Sequence, residues 1–428
     1  MLNRSSLCAA IYCIAALAVV PACALAQTAV ASPLTLDQVL QAARDNLDVS
    51  IARRGAEAAR ADIMSADHGP APVLTAKAAS IDLQNGLGSG SLWRDKRIDK
   101  SIGVDWTWER GNKRELRTQQ ARRNADAAQA DLREVLVQQQ LAAASAFYDL
   151  LAAQERMVQV EAIGKSAAEL SSTAARRVRA GDLSAQDAAR TEIESQRAAA
   201  DLHTAQSEKR RASYALSQLI GVAPPTGELT AQSGWPTLTA PDAGTAYAPA
   251  APDDRADVQA AQQRVQAAQA ALDGANALRR NDVTLGASLD HFPGTSTRQL
   301  ELRAQIPLAG LAGTYAYDGE IARARALLDQ AQDQLDKTRR VADAENRRMQ
   351  HDLDSAARRA QRSATSIVPP AREVAAMAEL AYGKGAMSLT ELIDTRRTLR
   401  NVLIDDIAAR ADHARNLAAW RLRAAAAQ

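Results

Sequence analysis

The sequence predicts a mostly helical chain that also carries a small membrane β-sheet, with this arrangement present twice. Three observations lead to this fold class. Two segments of about ten residues alternate between apolar and polar side chains, a very long helical pattern follows each of them, and the second half of the chain repeats the first at an interval of about 200 residues. An alternating segment of this length suits a tilted membrane strand, with lipid on its outer face and water on its inner face.

The composition favours long helices. The chain has 428 residues, of which 46% are hydrophobic and only 3% aromatic, and much of the apolar content is alanine. Together with leucine, glutamate, glutamine and arginine, alanine forms helices readily and packs them closely. The formal net charge is +2 with acids and bases interspersed, so nothing in the charge pattern favours nucleic acid as a partner.

The first 26 residues are typical of a secretory signal peptide. Arg4 precedes an apolar run over residues 7–20, and small residues stand before Gln27. All three cysteines lie in this part of the chain, so lipid attachment at Cys23 is an alternative, and an uncleaved anchor is another. No later stretch is apolar enough for a membrane helix, so insertion into a membrane would have to use strands.

A first repeat is predicted over residues 27–220. It begins with one helix from Leu36 to about Ser65, continues with a β-hairpin over 73–109, and then enters a helix over 111–180 that is on the order of 100 Å long. A tip around Gly181 reverses the chain, and a return helix follows Ser184.

A second repeat is predicted over residues 254–428, after a connector over 221–253 that is rich in proline and glycine. It contains a helix, a hairpin over 282–307, a long helix over 319–383, a second tip and a C-terminal helix. Gly164 and the Pro369-Pro370 pair occupy similar places in the two long helices, so both helices are expected to bend there.

The outer faces of the strands are predicted to contact lipid. Their polar faces carry residues such as Asp105 and Arg303, which suit a water-filled lumen. The side chains assigned to the membrane side are Ile102, Val104, Trp106, Trp108, Leu300, Leu302 and Ile306.

Oligomer formation follows from the number of strands. Four strands cannot close a barrel, and an open sheet edge in lipid leaves backbone groups unpaired at a cost of several kcal/mol each. Three copies would supply about twelve strands, enough to surround a lumen. The sequence therefore predicts a homotrimer with outer-membrane lipid around its barrel.

Several motifs together resemble the TolC-like family of outer-membrane efflux factors. They are the opening segment 34–40, the duplicated hairpins, Ile306-Pro307-Leu308, and the spaced set Tyr382, Gly385, Ser388, Glu391 and Asp394. The turn over 109–114 is similar to that of the branch serving cobalt, zinc and cadmium efflux pumps.

The resemblance implies a passive exit duct rather than an enzyme, without cofactors. Its partners would be a periplasmic adaptor (membrane fusion) protein and an inner-membrane proton-driven pump of the RND type, and its place the outer membrane, extending into the periplasm. Heavy-metal cations are the expected cargo, and drugs or secreted proteins are the alternative. A different class, a periplasmic coiled-coil scaffold without a pore, leaves the alternating strands unexplained.

The second tip carries the residues of a possible gate. Glu391 and Asp394 lie one helical turn apart, and the family places the matching acids around its closed periplasmic entrance. We expect them to favour cations, with Tyr382 and a basic residue such as Arg190 keeping the entrance closed, and with Asp187 as the first-tip equivalent of Glu391. The alternative is a solvated acidic face near a helix start.

The tips themselves are candidates for contact with the adaptor. Gly181 and Gly385, and likewise Ser184 and Ser388, are separated by the same interval. The family uses these turns for docking, although they could equally be ordinary helical hairpins. The five histidines are scattered without ligand spacing, so no metal site is predicted.

Overall fold

The computed structural model describes residues 33–81, 83–84, 89–90, 98–221, 228–232, 234–238, 251–293, 296–308 and 315–426. The segment 1–26 with Cys23, and most of the loop between the first two strands, lie outside these residues. The helices are α1 (Leu36–Ala43), α2 (Leu47–Ala66), α3 (Lys113–Arg179), α4 (Ala185–Ile220), α5 (Ala256–Ala277), α6 (Asp318–Arg362), α7 (Val368–Gly383) and α8 (Leu389–Ala425). The strands are β1 (Val73–Ala79), β2 (Asp99–Trp108), β3 (Val283–Phe292) and β4 (Ser296–Gln305).

The predicted single N-terminal helix is wrong, because the structure has two helices there. Asn46 is extended and caps α2, with its side chain accepting a hydrogen bond from the backbone N–H of Asp48. The same side chain donates to the carbonyl of Leu219 at 2.6 Å, which fixes the break against the end of α4. Leu47 and Ile51 are consequently exposed, so the apolar pattern that suggested one helix is not a buried face.

The first long helix, α3, is continuous over 67 residues and passes through Gly164 without a break. Asn112 precedes it in a left-handed conformation, and Tyr317 precedes α6 in the same conformation. The two long helices therefore leave the sheet through matching backbone turns.

The second long helix, predicted over 319–383 with a bend at Pro369-Pro370, is interrupted close to these prolines instead of being one bent helix. Residues Ser363–Ile367 form a π-helical turn between α6 and α7. Pro369 and Pro370 follow after Val368 and cannot donate backbone hydrogen bonds, so the regular helical pattern cannot pass through them. The Ser363 hydroxyl donates to buried Asp406 at 2.7 Å, which holds this turn against α8.

The main core lies where α1, α3, α4 and α8 meet. Its largest side chains are Phe147 and Tyr148, and Leu150, Leu151 and Leu216 are its most fully buried leucines, with alanines filling much of the remaining space. Burying one such leucine stabilises the fold by roughly 1.5–3 kcal/mol. The small alanines let the helices approach closely, as the composition predicted.

Part of the connector packs onto this core. Leu34 forms a parallel bridge with Ala231, and two backbone hydrogen bonds of 2.8 Å join their segments. Trp235 stacks on Tyr148 with ring centroids 6.2 Å apart, and its Nε1 donates to Glu155 at 2.6 Å. Part of the predicted connector is therefore packed in place and joins the N-terminal segment to α3.

The four strands form one antiparallel sheet in the order β1-β2-β3-β4. The strands of the two repeats pair directly, since Val104 on β2 lies opposite Ala287 on β3. A mostly helical chain with a small antiparallel sheet is the predicted fold class, and it is confirmed. In the described part of the chain, none of the helices has the length and apolar character needed to cross a membrane.

Candidate functional site: a two-faced sheet and two helical tips

One face of the sheet is apolar across all four strands. Val104 of β2 lies between Leu74 of β1 and Ala287 of β3, and Ala287 in turn pairs with Leu302 of β4. Because side chains alternate along a strand, this register places most of the large apolar residues of the sheet on the same side, with Val73 and Phe292 outside the set. This apolar face comprises Leu74, Ile102, Val104, Trp106, Trp108, Val283, Leu285, Leu289, Leu300 and Leu302. Ile306 is also exposed but lies just beyond β4.

The opposite face is polar and internally bonded. The Asp105 carboxylate accepts hydrogen bonds from Arg303 at 2.9 Å and from the Thr75 hydroxyl at 2.8 Å. Arg303 reaches Asp105 across β3, and Gly286 occupies the register position between them. A Cβ atom at position 286 would overlap the Asp105 carboxylate, so glycine is what allows this ion pair to cross a strand.

The two faces have the reverse of the usual exposure. Ser288 and Asp290 on the polar face are only 3% and 6% exposed, whereas their neighbour Leu289 on the apolar face is 64% exposed. In a sheet surrounded by water the apolar face would be buried and the polar one solvated. This sheet therefore suits an apolar environment outside and a polar one inside.

Ion pairs fix the sheet to the helices. Asp282, just before β3, accepts from the Lys113 side chain at 2.8 Å and from the backbone N–H of Arg110 at 2.9 Å. Arg117 makes two hydrogen bonds to Glu109 and a third to the carbonyl of His68. The strand-to-helix corner of the first repeat is thereby held to the second hairpin.

The two tips have the same backbone geometry. Gly181 and Gly385 are both left-handed, with φ of 83° and 74°. In each tip the following residue donates back to the helix it has left, Asp182 to Arg177 and Ala386 to Ala381, both at 2.9 Å. These bonds satisfy the last carbonyls of α3 and α7, as in a Schellman motif.

Serine caps follow both turns. The Ser184 hydroxyl accepts from the backbone N–H of Asp187, and the Ser388 hydroxyl accepts from that of Glu391. In the second tip the Glu391 carboxylate also accepts from the backbone N–H of Ser388, at 2.9 Å. This bond, with a further one from the Ser388 hydroxyl, lowers the pKa of Glu391 below its usual range. Glu391 therefore stays ionised at the tip.

Several of the residues predicted for the gate lie close together, although Arg190 contacts neither acid within the protomer. Arg190 donates to the Thr390 hydroxyl at 2.9 Å, and Arg177 approaches the Tyr382 hydroxyl at 3.4 Å. Asp394 is exposed and lies 3.5 Å from Arg397 on its own helix. Glu391 and Asp394 both face solvent on α8.

A further ion pair joining the tips was missed in the sequence. Arg397 on α8 donates through Nε to Glu194 on α4 at 3.1 Å and makes a second, shorter contact through Nη2. This bidentate pair lowers the pKa of Glu194 and raises that of Arg397. The two residues are separated by 203 positions, and only the duplication, which brings the tips together, could have suggested their contact.

No cluster of three or more histidine, cysteine or acidic side chains suited to holding a metal ion is present among the described residues. His413 is enclosed in the helical part, and its burial lowers its pKa.

Comparison with known proteins gives one curated protein of similar sequence. The chain is 26% identical over 383 residues to the cobalt-zinc-cadmium resistance protein CzcC of Cupriavidus metallidurans, covering 86% of this chain and 84% of that protein. No protein-family model matches the chain.

Two solved structures show the shared fold. The outer membrane protein VceC of Vibrio cholerae superimposes with a TM-score of 0.73 at 16% identity, covering 91% of this chain and 96% of that one. The CmeC outer membrane channel of Campylobacter jejuni superimposes with a TM-score of 0.74 at 14% identity, covering 92% of this chain and 86% of that one. The resemblance to TolC-like proteins predicted from the motifs is confirmed by these comparisons.

Proposed function

We propose that this chain, which has the fold of the TolC-like outer-membrane efflux channels, is the outer-membrane exit duct of a tripartite efflux system. The observation that carries the proposal is the reversed exposure of the sheet. Large apolar side chains on the outside and enclosed polar ones on the inside match a barrel wall between lipid and a water-filled lumen. A soluble scaffold would have no use for this arrangement.

The duct is a homotrimer. The sheet of one protomer has two free edges, at β1 and β4. Unpaired edge groups in a bilayer cost several kcal/mol each, so the edges must pair with those of other copies. Three sheets joined edge to edge give a closed barrel of about twelve strands.

The cargo we propose is a heavy-metal cation, since the similar CzcC is named a cobalt-zinc-cadmium resistance protein. The duct is passive and has no catalytic role, because a pore conducts the cargo that a pump delivers without changing it chemically. A periplasmic adaptor and an inner-membrane pump of the RND type complete the system.

The second tip supplies the gate. Glu391 and Asp394 from three copies would place six carboxylates around one axis, where they favour cations. The basic residue of this gate is Arg397 instead of Arg190, because Arg397 contacts both Asp394 and Glu194. Tyr382 contacts Arg177 of the first tip, and Asp187, which is bonded to Ser184 within its own tip, is the first-tip equivalent of Glu391 in this gate. The turns at Gly181, Ser184, Gly385 and Ser388 form the adaptor-docking ends, and Cys23 remains a candidate for lipid attachment.

A gene deletion tests the exit-duct proposal and its cargo together. Loss of the gene should sensitise cells to cobalt, zinc or cadmium, and the wild-type gene should restore growth. Sensitivity to antibiotics alone would replace metals by drugs as the cargo. Unchanged resistance to both panels, with the partner pump expressed, would contradict the efflux function.

Conductance in planar bilayers tests the gate. The Glu391→Gln/Asp394→Asn variant should lose most of its preference for cations over anions, while Gln keeps the capping box intact. Glu57→Gln, which neutralises an exposed carboxylate on α2, is the matched control and should conduct like the wild type. If the double variant retains wild-type selectivity, the acids have no role in the gate.

A further inference from the structure

Three basic residues lie in one row across the sheet, at the end of the strands away from the long helices. Lys100 on β2 pairs in register with His291 on β3, and Arg298 on β4 lies in the β-bulge opposite His291. Because side chains alternate along a strand, Lys100 is on the same side as Ile102. These three residues, the basic row, therefore belong to the apolar face of the sheet.

The carboxylates of the sheet are all on its other face. By the same alternation, the polar face carries every acidic residue of the four strands, namely Asp99, Asp105, Asp290 and Glu301. The basic row consequently has no acid beside it on its own face. Positive charges close together on neighbouring strands repel each other and destabilise a sheet. An anion placed among them would remove this cost.

The two permanent charges of the row have no partner among the described residues. Nζ of Lys100 is enclosed and has no hydrogen-bond acceptor. The Arg298 side chain is exposed and makes no ion pair with any described residue. Arg298 can therefore donate several hydrogen bonds to a ligand, and Lys100 adds an uncompensated positive charge at the same level of the sheet.

The position of the row along the strands indicates where such an anion would lie. Lys100 is eight residues from Trp108, which corresponds to about 27 Å along β2. This is close to the height of the apolar band of a membrane sheet, about 25 Å. The inference rests on the proposed function, which places the apolar face in a bilayer and the helices in the periplasm. The row then lies at the headgroups of the leaflet farther from the helices, where phosphate is the common anionic group.

We propose that the basic row binds the phosphate of an anionic lipid in this distal leaflet. The Arg298 guanidinium donates to the phosphate oxygens, whose geometry it matches, and Lys100 and His291 flank the phosphate on the neighbouring strands. A single lysine or arginine that only avoids hydrocarbon can extend to water or to any zwitterionic headgroup. Three basic residues on adjacent strands, with no acid on their face, favour a headgroup of net negative charge instead.

Electron paramagnetic resonance of spin-labelled lipids tests the proposal on the full-length protein in phosphatidylcholine vesicles. Spin-labelled phosphatidic acid, whose headgroup is a bare phosphate, should associate with the protein about fivefold more strongly than spin-labelled phosphatidylcholine. A spin-labelled fatty acid, which carries a carboxylate, should show a smaller preference. Equal association of phosphatidic acid and phosphatidylcholine would overturn the proposal, and a fatty acid that matches phosphatidic acid would overturn the assignment to phosphate.

Substitutions locate the binding. Arg298→Gln removes the exposed charge of the row and should lose most of the preference for phosphatidic acid. Lys77→Gln is the matched control, because Lys77 is exposed on the polar face of β1 opposite Ser101, and it should keep the wild-type preference. Equal losses in the two variants, or no loss in Arg298→Gln, would overturn the proposal.

Failure of the proposed function gives a different result. If the wild-type protein restricts the motion of no spin-labelled lipid of any kind, the sheet is not in the bilayer, and both proposals are overturned. Equal restriction of phosphatidic acid and phosphatidylcholine leaves the membrane sheet in place and overturns the phosphate site alone.

Discussion

The sheet and the helical core of this chain differ in where their apolar side chains lie. In the helical core the apolar side chains are small or enclosed, as with the alanines and leucines around fully buried Leu150. In the sheet they are large and exposed, as with Leu302 at 75%, while serine and aspartate are enclosed. Apolar and polar residues recur at regular spacing in both parts. The buried side is the apolar one in the helical core and the polar one in the sheet.

This difference indicates that the two parts meet different solvents. Helices in water bury their apolar stripe, and strands in a bilayer turn theirs outward. In the proposed duct the helices therefore face water and the sheet faces lipid, and the ion pair between Lys113 and Asp282 lies at the corner between them.

The largest expected effect comes from opening the helical core. Leu150→Ala should destabilise the protein by about 2–5 kcal/mol, because it leaves a cavity in a region where the side chain is fully enclosed. Leu302→Ala on the sheet should cost much less, since lipid chains can fill the space. The midpoint of heat-induced trimer dissociation measures both, and equal losses would contradict the comparison.

A charge on an exposed leucine distinguishes the two environments. Leu302→Arg should cost about 2–4 kcal/mol and reduce the amount of protein in the outer membrane, because the charge enters lipid. Leu47→Arg on α2 starts from an almost equal exposure of 78% and should change stability by no more than about 0.5 kcal/mol. Two equally tolerated substitutions would mean that water surrounds the sheet.

The stability of the two tips depends on the backbone conformation of their glycines and not on whether water or lipid surrounds them. Gly181→Ala and Gly385→Ala should each cost about 1 kcal/mol, because both glycines have positive φ while neither would meet a steric clash. Thermal midpoints of the two variants should agree, as expected for duplicated turns. Gly55→Ala within α2 is a suitable control and should be neutral or slightly stabilising.

The smallest expected effect concerns pH and the helical core. Burial lowers the pKa of His413 in the folded protein below its ordinary value of 6.5, with a smaller contribution from Arg421. The unfolded chain therefore binds the proton more readily, and folding stability falls as the pH drops below about 6.5. His413→Leu should flatten the change in thermal midpoint between about pH 7.5 and about pH 5, and an unchanged slope would argue against the shift.

Much of the architecture could be predicted from the sequence, because periodicity and repetition are local signals. The alternation around Trp106 predicted a strand, and the common spacing of Gly181 and Gly385 predicted matching tips, whose left-handed turns the structure contains. The length of α3 followed from the scarcity of helix-breaking residues in that stretch.

Other features depend on contacts between distant residues and were not predictable in this way. The break before α2 depends on Asn46 bonding to Leu219. Pro369-Pro370 predicted an irregularity near the start of α7, but neither its π-helical form nor its bond to Asp406 could be predicted. The pairing of Arg397 with Glu194 requires both tips to be folded together, so a pattern along one helix gives no sign of it. Arg190, which the sequence predicted for this contact, donates to Thr390 instead.

Two neighbouring positions on β4 test the central claim most directly. Glu301 and Leu302 lie on opposite faces of the sheet, and both are exposed in the single protomer. In intact outer membranes, Glu301→Cys should react with a charged, water-soluble maleimide, and Leu302→Cys should react only after denaturation, with the wild-type protein giving the background. Equal labelling of the two cysteines in the membrane would contradict a sheet that separates lipid from a water-filled lumen.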